Sequence, residues 1–138
     1  MELIAVIISA VAFCLSLYQL LSDRNRTKKE STLHAFNLNQ NEVFDPISKM
    51  DIKSINPDKR EDWRKLTTLM ARIEHFCVGI NTGIYDIRIV NKLGGNYMLN
   101  LYNRLLPHIN MKESLSSGGQ HYNEYRDMIK RLKKIRKM

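Results

Sequence analysis

The chain opens with an unbroken apolar run and then changes character. From Leu3 to Leu21, LIAVIISAVAFCLSLYQLL, no side chain carries a charge. As a helix rising about 1.5 Å per residue, this run reaches roughly 28 Å, close to the thickness of a bilayer's hydrocarbon core. It is apolar on every side, whereas a core helix of so small a domain keeps a polar face. A cleaved signal peptide would begin with a basic segment, which is missing, and the small-x-small site Ala10-Val11-Ala12 falls in mid-run. The expectation is a transmembrane helix over residues 1–23, with Tyr18 near one boundary.

Within that run Ala5, Ser9, Ala12 and Ser16 are spaced by four, three and four, so they share one helix face. The same face extends to Glu2 on one side and to Gln19 and Asp23 on the other. Small residues on one stripe let helices approach closely in lipid, and hydroxyls can bond across the contact. The 3.5-residue period is that of a left-handed helix seam. The stripe predicts self-association of the span, and so a homo-oligomer.

Residues 24–55 are polar with sparse apolar positions, Leu33, Phe36, Val43, Phe44 and Ile47. Their spacing permits a juxtamembrane helix as far as about Asn41, broken by Asp45-Pro46, and equally permits a linker. Residues 56–138 read as the helical domain. Asn56-Pro57-Asp58 is helix-start chemistry: a cap, a first-turn proline and an acid that suits the dipole. From Trp63, the positions Leu66, Met70, Ile73, Cys77, Ile80, Ile84 and Ile87 alternate in steps of three and four. Gly79 and Gly83 interrupt this pattern, which predicts a corner and a second helix from about Thr82 or Gly83 to Leu93, ended by Gly94-Gly95. A third helix is expected from Asn96, bent or ended by Pro107. A loop follows at Ser116-Ser117-Gly118-Gly119, then a last helix carrying Tyr122, Tyr125, Ile129 and Leu132. No segment alternates like a strand. The fold class is all-α: a single N-terminal transmembrane helix followed by a small cytoplasmic helical bundle.

Charge adds direction. The 138 residues carry 22 Lys and Arg against 14 Asp and Glu, a formal net charge of +8. Every basic residue lies at Arg24 or later, with Arg24, Arg26, Lys28 and Lys29 just past the span. The positive-inside bias then puts the N-terminus outside and the domain in the cytoplasm, as a single-pass protein of the inner (cytoplasmic) membrane. Lys130, Arg131, Lys133, Lys134, Arg136 and Lys137 crowd the other end of the chain. For an anchored chain the nearest anionic partner is the inner-leaflet headgroup layer, and both clusters are expected to contact it. Nucleic acid is the weaker reading, because Tyr122 and Tyr125 fit an apolar helix face better than a base-stacking platform.

Candidate chemistry is sparse. Cys14 lies in the span and Cys77 on an apolar stripe, so a disulfide between them is not expected and Cys77 reads as a buried, inert thiol. His34, His75, His108 and His121 stand on separate elements without metal-ligand spacing, and Glu74, His75 and Cys77 diverge around a helix. Gly94-Gly95 and Gly118-Gly119 lack the context of a phosphate loop. The expectation is no enzyme, no cofactor and no metal.

The stretch from Ala71 to Asp86, with Glu74, Gly79 and Gly83-Ile84-x-Asp86, resembles an uncharacterised bacterial family. Pro107-His108-Ile109 and the tyrosine-bearing last helix complete the likeness. That family pairs an N-terminal membrane helix with a helical cytoplasmic domain of unknown function. Its members often have an arginine soon after the Pro-x-Ile, where this chain has Asn110-Met111-Lys112. The resemblance implies the anchor and the fold and brings no activity. It makes Glu74 and Asp86 structural groups: caps, or partners of Arg72, Arg88 or Arg104 at the helix corner. The expected role is a non-enzymatic, self-associating membrane protein whose bundle receives a signal or partner. By analogy, such proteins act as membrane-perturbing effectors in bacterial antiviral defence. The rival role is a passive adaptor that localises a cytoplasmic protein.

Overall fold

A single helix runs from the N-terminus through the apolar stretch and on into the domain. In the computed structural model, which describes residues 1–116 and 121–137, α1 spans Glu2–Asn39. It continues through a π-helical turn, Gln40–Phe44, into the short α2, Asp45–Ser48. The stretch that the sequence left open between helix and linker is therefore helical as far as Ser48, and it passes the expected break at Asp45-Pro46. Pro46 cannot bond back to the preceding turn, and a widened π turn directly before it absorbs that misfit. A 3₁₀ turn, Ile52–Ser54, leads to α3 (Arg60–Asn81), α4 (Ile87–Leu115) and α5 (Asn123–Ile135). No strand occurs among the described residues. The fold is all-α.

Boundaries moved for local reasons. Asn56 does not cap a helix; its Oδ1 accepts from the Asp58 backbone N–H at 3.0 Å, closing a turn, and α3 begins only at Arg60. The corner between α3 and α4 falls where the glycines indicated. Gly83 adopts a left-handed φ of 84° there, and Asp86, not Thr82 or Gly83, starts the next helix by accepting from Arg88 N–H at 2.9 Å. Gly94-Gly95 does not end that helix but kinks it, Gly94 leaving helical geometry at φ −169° and ψ 39°. Asn96 accordingly continues α4 rather than opening a third helix, and α4 runs on through Pro107. The kink follows from packing: a Cβ on Gly94 would stand 2.7 Å from Phe36 Cζ. The Ser117–Gly119 part of the expected loop lies outside the described residues.

The core forms where the last turns of α1 meet α3 and α4, with α5 packed against α3 and α4. Thr32, Ala35 and Phe36 are the buried residues of α1, followed by Val43, Phe44 and Ile47. Phe36 sets its ring against Phe44 and Phe76, with centroids 5.8 and 6.4 Å away, and Phe44 also meets Tyr97 at 5.6 Å. On the other side of the core Tyr125 is fully buried, with Tyr102 edge-on at 5.1 Å and its hydroxyl donating to the Met98 carbonyl. The α1 side chains between Leu3 and Leu21 take no part in this core.

Nothing lies within 4 Å of a Cβ placed on Gly83, so substitution there tests backbone conformation alone. Gly83→Ala should lower folding stability by about 1–2 kcal/mol, the cost of a left-handed L-residue, and Gly83→Asn by less. Thermal melts of the detergent-solubilised protein check the order.

Candidate functional site

The features singled out by the sequence fall on two regions, the outer surface of α1 and the end of the bundle from which α1 emerges. Every residue from Leu3 to Leu21 is exposed. The helix is long and apolar enough to cross a membrane, and none of its apolar stretch is covered by the protein. Ala5, Ser9, Ala12 and Ser16 line one face of it, and the Ser16 hydroxyl bonds back to the Ala12 carbonyl at 2.9 Å. At about 100° per residue, that face lies about 160° around the helix from Thr32, Ala35 and Phe36. The small-residue stripe therefore points away from the bundle.

Between the apolar stretch and Thr32 the helix stands bare. Residues 22–31 are exposed apart from a half-covered Lys28. This stalk, roughly 15 Å long at 1.5 Å per residue, carries Arg24, Arg26, Lys28 and Lys29. Arg26 stands 3.9 Å from Asp23 and 3.9 Å from Glu30, all three highly exposed.

The second basic cluster is brought to the same end of the molecule. The Thr32 hydroxyl accepts from the Asp86 backbone N–H at 2.8 Å, tying the start of α4 to the foot of the stalk. Arg136 in turn bonds Asn91 and Asn96 on α4, placing the end of α5 alongside. The structure divides the cluster, however. Arg131 donates to the Ile80 carbonyl and Asn81, and Arg136 to the two asparagines, so both hold helices together. Lys130, Lys133, Lys134 and Lys137 remain exposed.

The motif residues sit at junctions between helices. Glu74 is not paired with Arg72, Arg88 or Arg104. Its two oxygens accept from the backbone N–H groups of Glu124 and Tyr125, at 2.8 and 2.9 Å, and so cap α5 from a neighbouring helix. Tyr122, at a left-handed φ of 61°, leaves α5 without a side-chain cap of its own. Asn81 completes the junction by donating to the Glu124 carbonyl and carboxylate. Gly79 lies against the Tyr85 ring, where a Cβ would come within 2.5 Å. The resemblance left Glu74 as a cap or an arginine partner; the helix it caps is far away in sequence, and no local pattern announces the pairing.

A groove of about 510 Å³ opens between α1 and α3, lined among others by Ala35, Leu38, Arg72, Phe76, Ile84 and Tyr85. Arg72 is ion-paired with Glu42 at its rim. Cys77 is buried, and burial pushes its thiol pKa well above the ordinary range. Tyr122 and Tyr125 are buried as well, away from any stacking surface. No group of three or more metal-ligating side chains occurs among the described residues.

His108 carried no signal in the sequence and is the unusual polar group of the core. It is 2% exposed, rests on Trp63 at 4.5 Å between ring centroids, and neither ring nitrogen has a hydrogen-bond partner among the described residues. Burial, with help from the Lys112 charge, brings its pKa down to about 4.

The family model for a domain of unknown function, DUF4760, matches residues 6–132, and the chain belongs to that family. The match takes in most of the apolar helix together with the bundle. No curated protein and no solved structure matches the chain.

A neutral His108 in the folded state and an ordinary one near 6.5 when unfolded make stability fall as pH drops from 6.5 toward 4. The loss attributable to His108 should reach on the order of 3 kcal/mol near pH 4. Its signature is the difference between wild type and His108→Leu in melts across that range: the variant should be markedly less acid-sensitive.

Proposed function

We propose that this member of the DUF4760 family is a non-enzymatic, single-pass protein of the inner membrane that self-associates through its span and perturbs the bilayer when assembled. The observation that carries the reading is the construction of α1. One helix offers lipid an uncovered apolar stretch, buries its far end in the bundle, and turns its small-residue stripe away from that bundle. Copies can therefore meet along the stripe without their bundles colliding. Close approach at Ala5, Ser9, Ala12 and Ser16 supplies the packing that drives helix association in lipid.

The basic residues of the stalk support an orientation with the N-terminus outside and the bundle in the cytoplasm. Arg24, Arg26, Lys28 and Lys29 lie within reach of anionic headgroups, each contributing about 1 kcal/mol near the surface. Lys130, Lys133, Lys134 and Lys137 are exposed and add to the basic surface. At a screening length of about 8 Å the stalk's own charges dominate. A role among membrane-acting effectors of bacterial antiviral systems rests on analogy of architecture alone. The adaptor reading draws on the α1–α3 groove, whose apolar floor and polar rim suit a cytoplasmic protein segment.

Reconstitution at high protein-to-lipid ratio into dye-loaded vesicles containing anionic lipid separates the two. Wild type should release dye. Ser9→Leu with Ser16→Leu should cut release about tenfold or more, since overpacking costs about 1–3 kcal/mol and 1.4 kcal/mol is a factor of ten. Equal release from the double variant removes the span from the mechanism, and no release from wild type favours the adaptor.

A further inference from the structure

The side chains of the stalk between the apolar stretch and the bundle take almost no part in the core, yet its charges are not scattered at random. Asp23 and Glu30 continue the stripe of Ser9 and Ser16 at steps of seven, and Arg26 and Thr27 flank that line. Because α1 is uninterrupted from Glu2 to Asn39, the stripe and these residues belong to one face of one rod. Lower down, where the bundle buries Thr32, Ala35 and Phe36, the residues on the stripe side, His34, Asn37 and Leu38, stay exposed. That face is uncovered along its whole length.

We propose that the stalk is itself a contact between parallel copies of this chain, in which Arg26 of one copy lies between Asp23 and Glu30 of the other. The inference rests on the self-association of the span proposed above and extends it into the aqueous phase. A second copy is the occupant that the surface fits, for three reasons. Parallel copies in one membrane bring the same residues of α1 to the same depth. Asp23, Arg26 and Glu30 then alternate in sign at one-turn spacing, so each arginine meets a carboxylate above and below it on the neighbouring helix. And the bundles, packed on the far side of each α1, end up outermost. Within one chain Arg26 is held firmly by neither acid, standing 3.9 Å from both, and is free to reach across.

Cysteine walking on the full-length chain in vesicles tests this. With Cys14→Ser, and with Cys77 buried and unreactive, single cysteines are placed from position 23 to position 30 and at Ser16, then oxidised. Disulfides need close Cα atoms, so they report which face meets a copy. The expected result is dimer yield several-fold higher at Asp23→Cys, Thr27→Cys and Glu30→Cys than at Asn25→Cys and Lys28→Cys, with Ser16→Cys crosslinking as well. Adding Arg26→Glu should lower the yield at Thr27→Cys several-fold and leave it unchanged at Ser16→Cys. Crosslinking at Ser16→Cys with flat or absent yields along the stalk would overturn the stalk contact and leave the span association standing. An unchanged yield at Thr27→Cys in the Arg26→Glu background would overturn the charge pairing. Absence of crosslinks at Ser16→Cys as well would overturn both the inference and the reading beneath it.

Discussion

One helix carries both an uncovered apolar stretch and a side of the core, and the rest of the molecule is arranged around that constraint. Over Leu3–Leu21 α1 is apolar on every side, without protein neighbours, and long enough to cross a membrane. From Thr32 onward it is buried on one side only. Between these regimes lie the charged turns of the stalk, where the core claims almost none of the side chains. No flexible residue or loop separates the regimes, because α1 is continuous from Glu2 to Asn39. The rotational position of the bundle relative to the span is thereby fixed by helix geometry, not by a tether. A face of α1 in the apolar stretch is the same face beyond it.

The bundle is locked onto this rod by polar contacts between elements distant in sequence. Thr32 is the pivotal group: its hydroxyl donates to the Lys28 carbonyl at 2.7 Å and accepts from the Asp86 N–H at 2.8 Å. Asp86 then caps α4, while Glu74 caps α5. Each such bond is worth about 1 kcal/mol net, but leaving a buried donor unpaired costs more. The contacts therefore matter chiefly as constraints that permit one arrangement of helices. His108, buried without a partner among the described residues, runs against that economy.

The elements held by apolar periodicity were legible in the sequence: the uniform run of α1, the three-and-four stripe of α3, the tyrosine face of α5. So was the corner at Gly83, because a left-handed turn leaves few residue choices. Glycine at Gly94 was misleading. A glycine can mark a helix end or a close approach, and only the position of Phe36, far away in sequence, decides between them. The helical reading of residues 24–55 was undecided because Val43, Phe44 and Ile47 fit a helix only if the proline is absorbed, and a π turn leaves no trace in hydrophobic spacing. Of the site, the small stripe and the basic clusters were readable as patterns. The diversion of Arg131 and Arg136 into helix-to-helix bonds was not, since a basic run looks the same whether its groups face solvent or reach back to Asn81, Asn91 and Asn96.

The central claim is that the uncovered face of α1 is covered by further copies of the chain, and the protein mass of the solubilised full-length complex addresses it most directly. Light scattering in mild detergent, with the detergent contribution subtracted, reads that mass independently of any label or substitution. A discrete mass at a multiple of the 16.2 kDa chain is the predicted result. A single 16.2 kDa species across the accessible concentration range would contradict the account and leave that face to lipid and solvent.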